Sequence, residues 1–320
     1  MSRLLSFKNI RRHGRAWVFP GQGSQEVGMG QDLYDTFAST RQLFDRANQV
    51  LGFNLRDLCF HGPADELRQT VNAQPAIMVT SLACLAAALE SGCLDGARPA
   101  FMAGHSLGEY TALVAAGVLE LEEGLRLVRE RGRLMQAAGT INPGTMAAIV
   151  GLDEPEVEEI CRQAGAEICN LNTATQIVIG GAREAVVRAM DMARARGAQR
   201  AIPLNVSAAF HSSLMEPARA GLANAVAELP FRDPAVPIVS NCTATPLTTG
   251  DTLREESLHQ VCTPVQWQRS VEYMAHSGVV LFLEIGPGRV LSGLIKRIAG
   301  HVRTASISDV ASIRSQGGKL

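Results

Sequence analysis

Residues 99–116 read Pro99-Ala-Phe-Met-Ala-Gly-His-Ser-Leu-Gly-Glu-Tyr-Thr-Ala-Leu-Val-Ala-Ala116. A short apolar strand ends at Gly104, a polar turn follows, and an Ala-rich helix begins at about residue 110. Strand, sharp turn and apolar helix in direct succession predict an α/β protein. The turn Gly104-His105-Ser106-Leu107-Gly108 fits Gly-x-Ser-x-Gly, the pattern of a nucleophile elbow. Glycines on both sides of the serine remove the Cβ clashes that so tight a bend would create. The N–H groups after the serine, at a helix N-terminus, face any oxyanion that forms there. Without its context the pattern would equally describe a structural turn. The flanking strand and helix favour Ser106 as a nucleophile.

The same rhythm extends on both sides. Upstream, the strand at 16–19 runs into the Gly-rich loop Pro20-Gly21-Gln22-Gly23-Ser24-Gln25. Residues 31–60 look helical, with turns. A second helix is expected over 74–90, with Pro75 in its first turn, where proline is favoured. Downstream, residues 145–205 read strand, helix, strand, strand, helix, strand, the ferredoxin-like order. Strands at 236–240 and 279–285 and helices near 213–228, 265–276 and 288–299 resume the α/β alternation. These patterns predict a large hydrolase-like α/β domain with a mostly parallel sheet, made of residues 16–142 and 206–308. Residues 143–205 form an inserted ferredoxin-like subdomain. Residues 1–15 and 309–320 are expected to be tails.

Composition excludes several functions. The chain has 320 residues, with 30 Lys+Arg against 31 Asp+Glu. This balance offers no electrostatic footprint for nucleic acid. A 46% hydrophobic fraction is ample for a core and argues against disorder. The apolar stretch 76–89 is shorter than the roughly 20 residues of a membrane span and reads as a buried helix. Seven cysteines without a C-x-x-C pair or zinc spacing read as reduced core residues of a cytoplasmic protein, with no metal and no secretory signal. Arg3, Lys8, Arg11, Arg12 and Arg15 give residues 1–15 a basic bias. That bias suits a solvated tail, or else a short docking or targeting arm.

A nucleophilic serine needs a base. Of seven histidines, His211 is best placed, because it follows a strand and the small residues Ser207-Ala208-Ala209. On position alone a structural loop histidine is an equal reading. Arg131 lies in a helical stretch with Leu127, Val128, Leu134 and Met135 as its i±3 and i±4 neighbours. An arginine on a buried face needs an anion or several carbonyls. Its planar fork suits a substrate carboxylate, and an internal Asp or Glu would serve as well. Arg129 and Arg133 read as solvated.

Six segments occurring in one order carry a family resemblance. They are Phe19-Pro20-Gly21-Gln22-Gly23-Ser24-Gln25, Gly104-His105-Ser106-Leu107-Gly108-Glu109-Tyr110, Arg131-Gly132, Ala209-Phe210-His211-Ser212, Pro264-Val265-Gln266-Trp267 and Glu284-Ile285-Gly286-Pro287-Gly288. Over residues 16–308 the chain resembles the malonyl-CoA:acyl carrier protein transacylases of fatty acid and polyketide synthesis. The resemblance implies a malonyl group passed from malonyl-CoA through an ester on Ser106 to the phosphopantetheine thiol of an acyl carrier protein. It makes His211 the base, Gln22 and the Leu107 N–H the oxyanion hole, and Arg131 the partner of the malonyl carboxylate. The main-chain carbonyl of Gln260 would orient His211, while Gln74 and Phe210 would line the pocket. His105 and Glu109 would be structural supports. Phe210 would crowd an α-methyl group. Ala208 departs from modular malonyl-selective domains, which often have histidine three residues before the catalytic one. The family needs no cofactor, since malonyl-CoA and phosphopantetheine are substrates, and the chain is expected to act as a monomer. The alternatives are an acyltransferase or editing acyl hydrolase acting on another acyl thioester, and a non-catalytic carrier-docking component.

Overall fold

Successive side chains of the first strand enter two different cores, and for that reason its sequence is apolar at nearly every position. Trp17 and Phe19 join one cluster, Ala16 and Val18 the other. A computed structural model describes residues 14–94 and 98–316. The basic segment read as a tail lies outside the described residues up to residue 13, whereas Arg15 is already in the first strand.

The strands are β1 (Arg15–Phe19), β2 (Phe101–Gly104), β3 (Thr145–Val150), β4 (Glu167–Thr173), β5 (Gln176–Gly181), β6 (Arg200–Pro203), β7 (Ile238–Val239), β8 (Pro246–Leu247), β9 (Leu281–Ile285) and β10 (Arg303–Ile307). They form two sheets. One has six strands in the order β10-β9-β1-β2-β7-β8, parallel except for the β7–β8 pair. Helices cover both of its faces, as a parallel sheet requires. The four-stranded sheet has the order β4-β5-β3-β6, antiparallel throughout. Helices Glu154–Ala164 and Arg183–Ala195 close a separate core over it, around Ile149, Val157, Ile160, Ile177 and Ile179. The mixed α/β class with a mostly parallel main sheet is as expected. A short parallel seam ties β4 to the segment just before helix Trp267–His276: Leu171 N–H donates to the Val265 carbonyl and Val265 N–H to that of Cys169, both at 2.9 Å.

Three expectations need correction. The long apolar helix spans Thr70–Glu90, so Pro75 is in its interior rather than its first turn. A proline there removes one N–H and leaves the carbonyl four residues earlier without its helical donor. Arg129 supplies the replacement: its Nη1 donates to Val71 O at 2.8 Å and to Asn72 Oδ1 at 2.6 Å. Arg129 is therefore half-buried and engaged rather than solvated, with its guanidinium over the Phe53 ring. By length and composition this helix could cross a membrane, yet 89% of its most apolar window is buried inside the protein. The segment read as a C-terminal tail contains helix Val310–Gln316. Asp309 Oδ1 accepts from Ser312 N, Asp32 Oδ2 accepts from Val310 N, and Ile313 is buried. Residues 317–320 lie outside the described residues.

Candidate active site

The carboxyl ends of three adjacent parallel strands converge on one point. β2 ends at Gly104, β1 on one side leads into Pro20-Gly21-Gln22, and β7 on the other leads to Asn241. Side chains collect at this edge of an open α/β sheet because the loops there are free of the strand ladder. Ser106 sits at the bend between β2 and helix Leu107–Ala115 with φ 52° and ψ −105°. A non-glycine residue in that region costs on the order of 1–3 kcal/mol, which the surroundings must offset. The glycines are sterically required: a Cβ on Gly104 would lie 1.8 Å from the Gly108 carbonyl carbon, and one on Gly108 would lie 2.0 Å from Phe19 O.

Ser106 Oγ is 2.7 Å from Nε2 of His211, and Nδ1 of His211 is 2.7 Å from the main-chain O of Gln260. A carbonyl only accepts, so Nδ1 carries the proton and Nε2 is left to accept from the serine hydroxyl. His211 is buried, and burial pushes its pKa down to about 3. The nearby Arg131 charge is the next cause, while the Gln260 carbonyl acts the other way. The imidazole is thus neutral across the physiological range.

Arg131, 1% exposed, reaches the same oxygen, with Nη2 3.2 Å from Ser106 Oγ. Nη2 also donates to Gln260 Oε1 and Nη1 to Gln74 Oε1, each at 2.8 Å, and the guanidinium lies over the Tyr110 ring at 4.7 Å. Among the described residues no carboxylate pairs with it, and its buried Nε has no hydrogen-bond partner. The internal Asp or Glu of a structural ion pair is therefore not found among the described residues, and two amide oxygens hold the guanidinium instead. A buried cation held only by neutral acceptors is poised for an anion.

These groups open on a cavity of about 190 Å³ lined by Gln22, Arg68, Ser106, Leu107, Arg131, Met135, Met146, Phe210 and His211, among others. Gln22 Nε2 is 3.4 Å from Thr70 Oγ1, a long bond that is easily given up. Leu107 opens its helix, so its N–H has no intrahelical acceptor. The site residues named from sequence thus come together with one exception. Gln74 is fully buried behind Arg131, with Oε1 on the guanidinium and Nε2 3.4 Å from Met135 Sδ, rather than on the cavity wall. His105 bonds Asn172 Oδ1 through Nε2 at 2.9 Å and tilts against Trp267. Glu109 is buried, and its carboxyl accepts from Asn241 N and from Gln260 Nε2. Burial first, and then the Glu256 charge, push its pKa well above the usual carboxylate range.

Two contributors were missed in sequence. The Gln260 side chain bonds Arg131 while its carbonyl holds His211, so one residue ties the two together. Asn241 bonds the elbow itself. Its only sequence signal is its place just past the strand read at 236–240, on the functional edge of the sheet.

The acyl transferase domain family matches residues 16–315. The malonyl CoA-acyl carrier protein transacylase of Bacillus subtilis (strain 168) is 42% identical over 303 residues, covering 93% of this chain and 94% of the relative. That of Escherichia coli (strain K12) is 43% identical over 302 residues, covering 93% and 97%. Among solved structures, a malonyl-transacylase in complex with its type II PKS acyl-carrier protein superposes with a TM-score of 0.92. Its identity is 41%, with 96% of this chain and 99% of that one covered. An elbow serine, a neutral histidine and an unpaired buried arginine thus stand on a chain that belongs to the acyl transferase family of the malonyl CoA-acyl carrier protein transacylases.

Proposed function

We propose that the chain transfers a malonyl group from malonyl-CoA to the phosphopantetheine thiol of an acyl carrier protein. The observation that carries this reading is the shared oxygen: Ser106 Oγ lies within hydrogen-bond reach of both His211 Nε2 and Arg131 Nη2. In the first half-reaction Ser106 Oγ attacks the thioester carbonyl as its proton passes to His211 Nε2. The Leu107 N–H and the Gln22 amide, swung from Thr70, receive the oxyanion. The C–S bond then breaks, His211 returns the proton to the CoA sulfur, and the malonyl ester remains on Ser106. In the second half-reaction the carrier thiol attacks that ester, its proton goes to His211, and Ser106 leaves with it. Atoms balance without an oxidant, so the chemistry calls for no electron carrier. Arg131 pairs with the malonyl carboxylate in both halves. Residues 16–142 and 206–308 would carry the chemistry and 143–205 the lobe over it. Seven free cysteines support a cytoplasmic setting.

Incubation with labelled malonyl-CoA and holo acyl carrier protein should yield malonyl carrier and free CoA in equal amounts. Without carrier, CoA release should stop after one equivalent, with the label on the Ser106 peptide. Release of free malonate with no malonyl carrier would identify an acyl hydrolase instead. Parallel assays with fatty acid and polyketide carriers would assign the pathway.

The pH profile provides a second check. The accepting form of His211 persists down to about pH 3, because the folded pKa lies there and not near the ordinary 6.5. Therefore kcat/KM should stay flat from pH 7 to about 5 as far as His211 governs it. An acid limb centred near 6.5 would show that the imidazole is not held neutral. Stability runs the opposite way from that of a His gaining an acidic partner. Between 6.5 and about 3 the unfolded chain binds a proton here that the folded one does not, so this contribution weakens as pH falls.

A further inference from the structure

The Ser106 elbow has a positive φ and receives no side-chain cap of its own. Its backbone must therefore be held from outside, and one side chain does so. Asn241 Oδ1 accepts from Ser106 N at 2.7 Å, and Asn241 Nδ2 donates to Gly104 O at 2.7 Å. Those are the main-chain groups on either side of the bend. The amide spans the turn as a neighbouring strand would, taking up a donor and an acceptor that β7 can no longer reach, since β7 ends at Val239. Asn241 is buried and is itself fixed at both main-chain groups. Its N–H donates to Glu109 Oε1 and its carbonyl accepts from Gln266 N, each at 2.8 Å.

We infer that Asn241 is a positioning residue for the nucleophile. It keeps the Ser106 backbone in the bent conformation that aims Oγ at His211 and turns the Leu107 N–H toward the cavity. It also fixes which donors are free for an oxyanion. The Ser106 N–H is taken by Asn241, which leaves the Leu107 N–H and Gln22. This inference rests on the reading of Ser106 as nucleophile.

The test uses the full-length Asn241→Ala and Asn241→Asp variants with purified malonyl-CoA and carrier protein. A serine-directed fluorophosphonate measures how reactive Ser106 is. In Asn241→Ala, kcat should fall roughly 10²-fold, as expected for an ångström-scale misplacement, with KM for malonyl-CoA within about threefold. Fluorophosphonate labelling should slow in proportion. In Asn241→Asp an ionised carboxylate can still accept from Ser106 N but cannot donate to Gly104 O. A protonated one does both. Its kcat relative to wild type should therefore rise as pH falls. Glu109 and Glu256, bonded to the backbone of residues 241 and 242, are common to both proteins, as are Cys242 and, beyond Gln260, Arg131 and His211. The ratio isolates residue 241. A role confined to folding would lower the melting temperature but leave kcat per folded molecule and the relative pH profile unchanged, and that result would overturn the inference. Failure of both variants to fold would overturn it as well, by assigning Asn241 to folding. Failure of the wild type to label at Ser106 would instead remove the nucleophile reading.

Discussion

Ser106→Ala should reduce malonyl transfer by at least about 10⁴-fold and abolish the malonyl-enzyme seen by mass spectrometry. Ser106 Oγ is within reach of both His211 and Arg131, at 2.7 and 3.2 Å. Alanine removes that atom and little else, because it is strained at φ 52° just as serine is. Melting should therefore shift by no more than a few degrees, and a folded, inactive protein is expected. His211→Ala should lose activity to a similar extent, since a hydroxyl without an acceptor at Nε2 stays protonated and weakly nucleophilic. The double variant should be no worse than either single one, because the two side chains act as a unit. Additive losses would mean that the serine and the histidine serve separate steps. A malonylated peptide that persists in Ser106→Ala would place the nucleophile elsewhere.

How much of this could be read from sequence depended on the range of the interactions involved. The inserted lobe was legible because all its strands and helices are local, and the period switches from 2 to 3.6 within one continuous stretch. The elbow was legible because its strand, turn and helix are contiguous and Gly104 answers a clash four residues away, although the clash that Gly108 avoids is with Phe19, far off in sequence. β10 was missed because Arg303-Thr-Ala-Ser-Ile307 is a partly covered edge strand without an apolar alternation. β8 is only two residues long. Arg131 stood out by its apolar neighbours, but its lack of an acidic partner is a property of the fold. Likewise, the bond from Arg129 to Val71 spans 58 positions and that from Asn241 to Ser106 spans 135. No local pattern encodes such a pair. Gln74 was expected on the pocket wall from the family resemblance alone, and its burial against the Arg131 guanidinium is a property of the fold.

Arg131→Ala should invert the acyl preference. Malonyl transfer is expected to fall roughly 10²–10⁴-fold, the counterpart of the about 3–5 kcal/mol lost when a buried charge is left without its partner. Acetyl transfer, which brings no carboxylate, should fall far less. Arg131→Lys should recover only part of the malonyl activity, because an ammonium keeps the charge but loses the bidentate fork. Competition between malonyl-CoA and acetyl-CoA for one carrier, read by mass, measures this ratio directly. Equal losses on both substrates would reduce Arg131 to a structural role. The charge also reaches the base. After burial, Arg131 is the next cause that holds down the pKa of His211. A carboxylate seated on Arg131 would cancel that charge and let the imidazole accept the Ser106 proton more readily, at the moment a malonyl group is in place. An uncharged acyl group would leave the base suppressed. Selection would then operate through proton transfer as well as through binding, and kcat as well as KM should distinguish malonyl from acetyl. In Arg131→Ala the share of the suppression due to Arg131 is gone while that of burial stays, so the acid limb of acetyl transfer should move to higher pH than in the wild type. An unmoved limb, with malonyl and acetyl separated in KM alone, would confine Arg131 to binding.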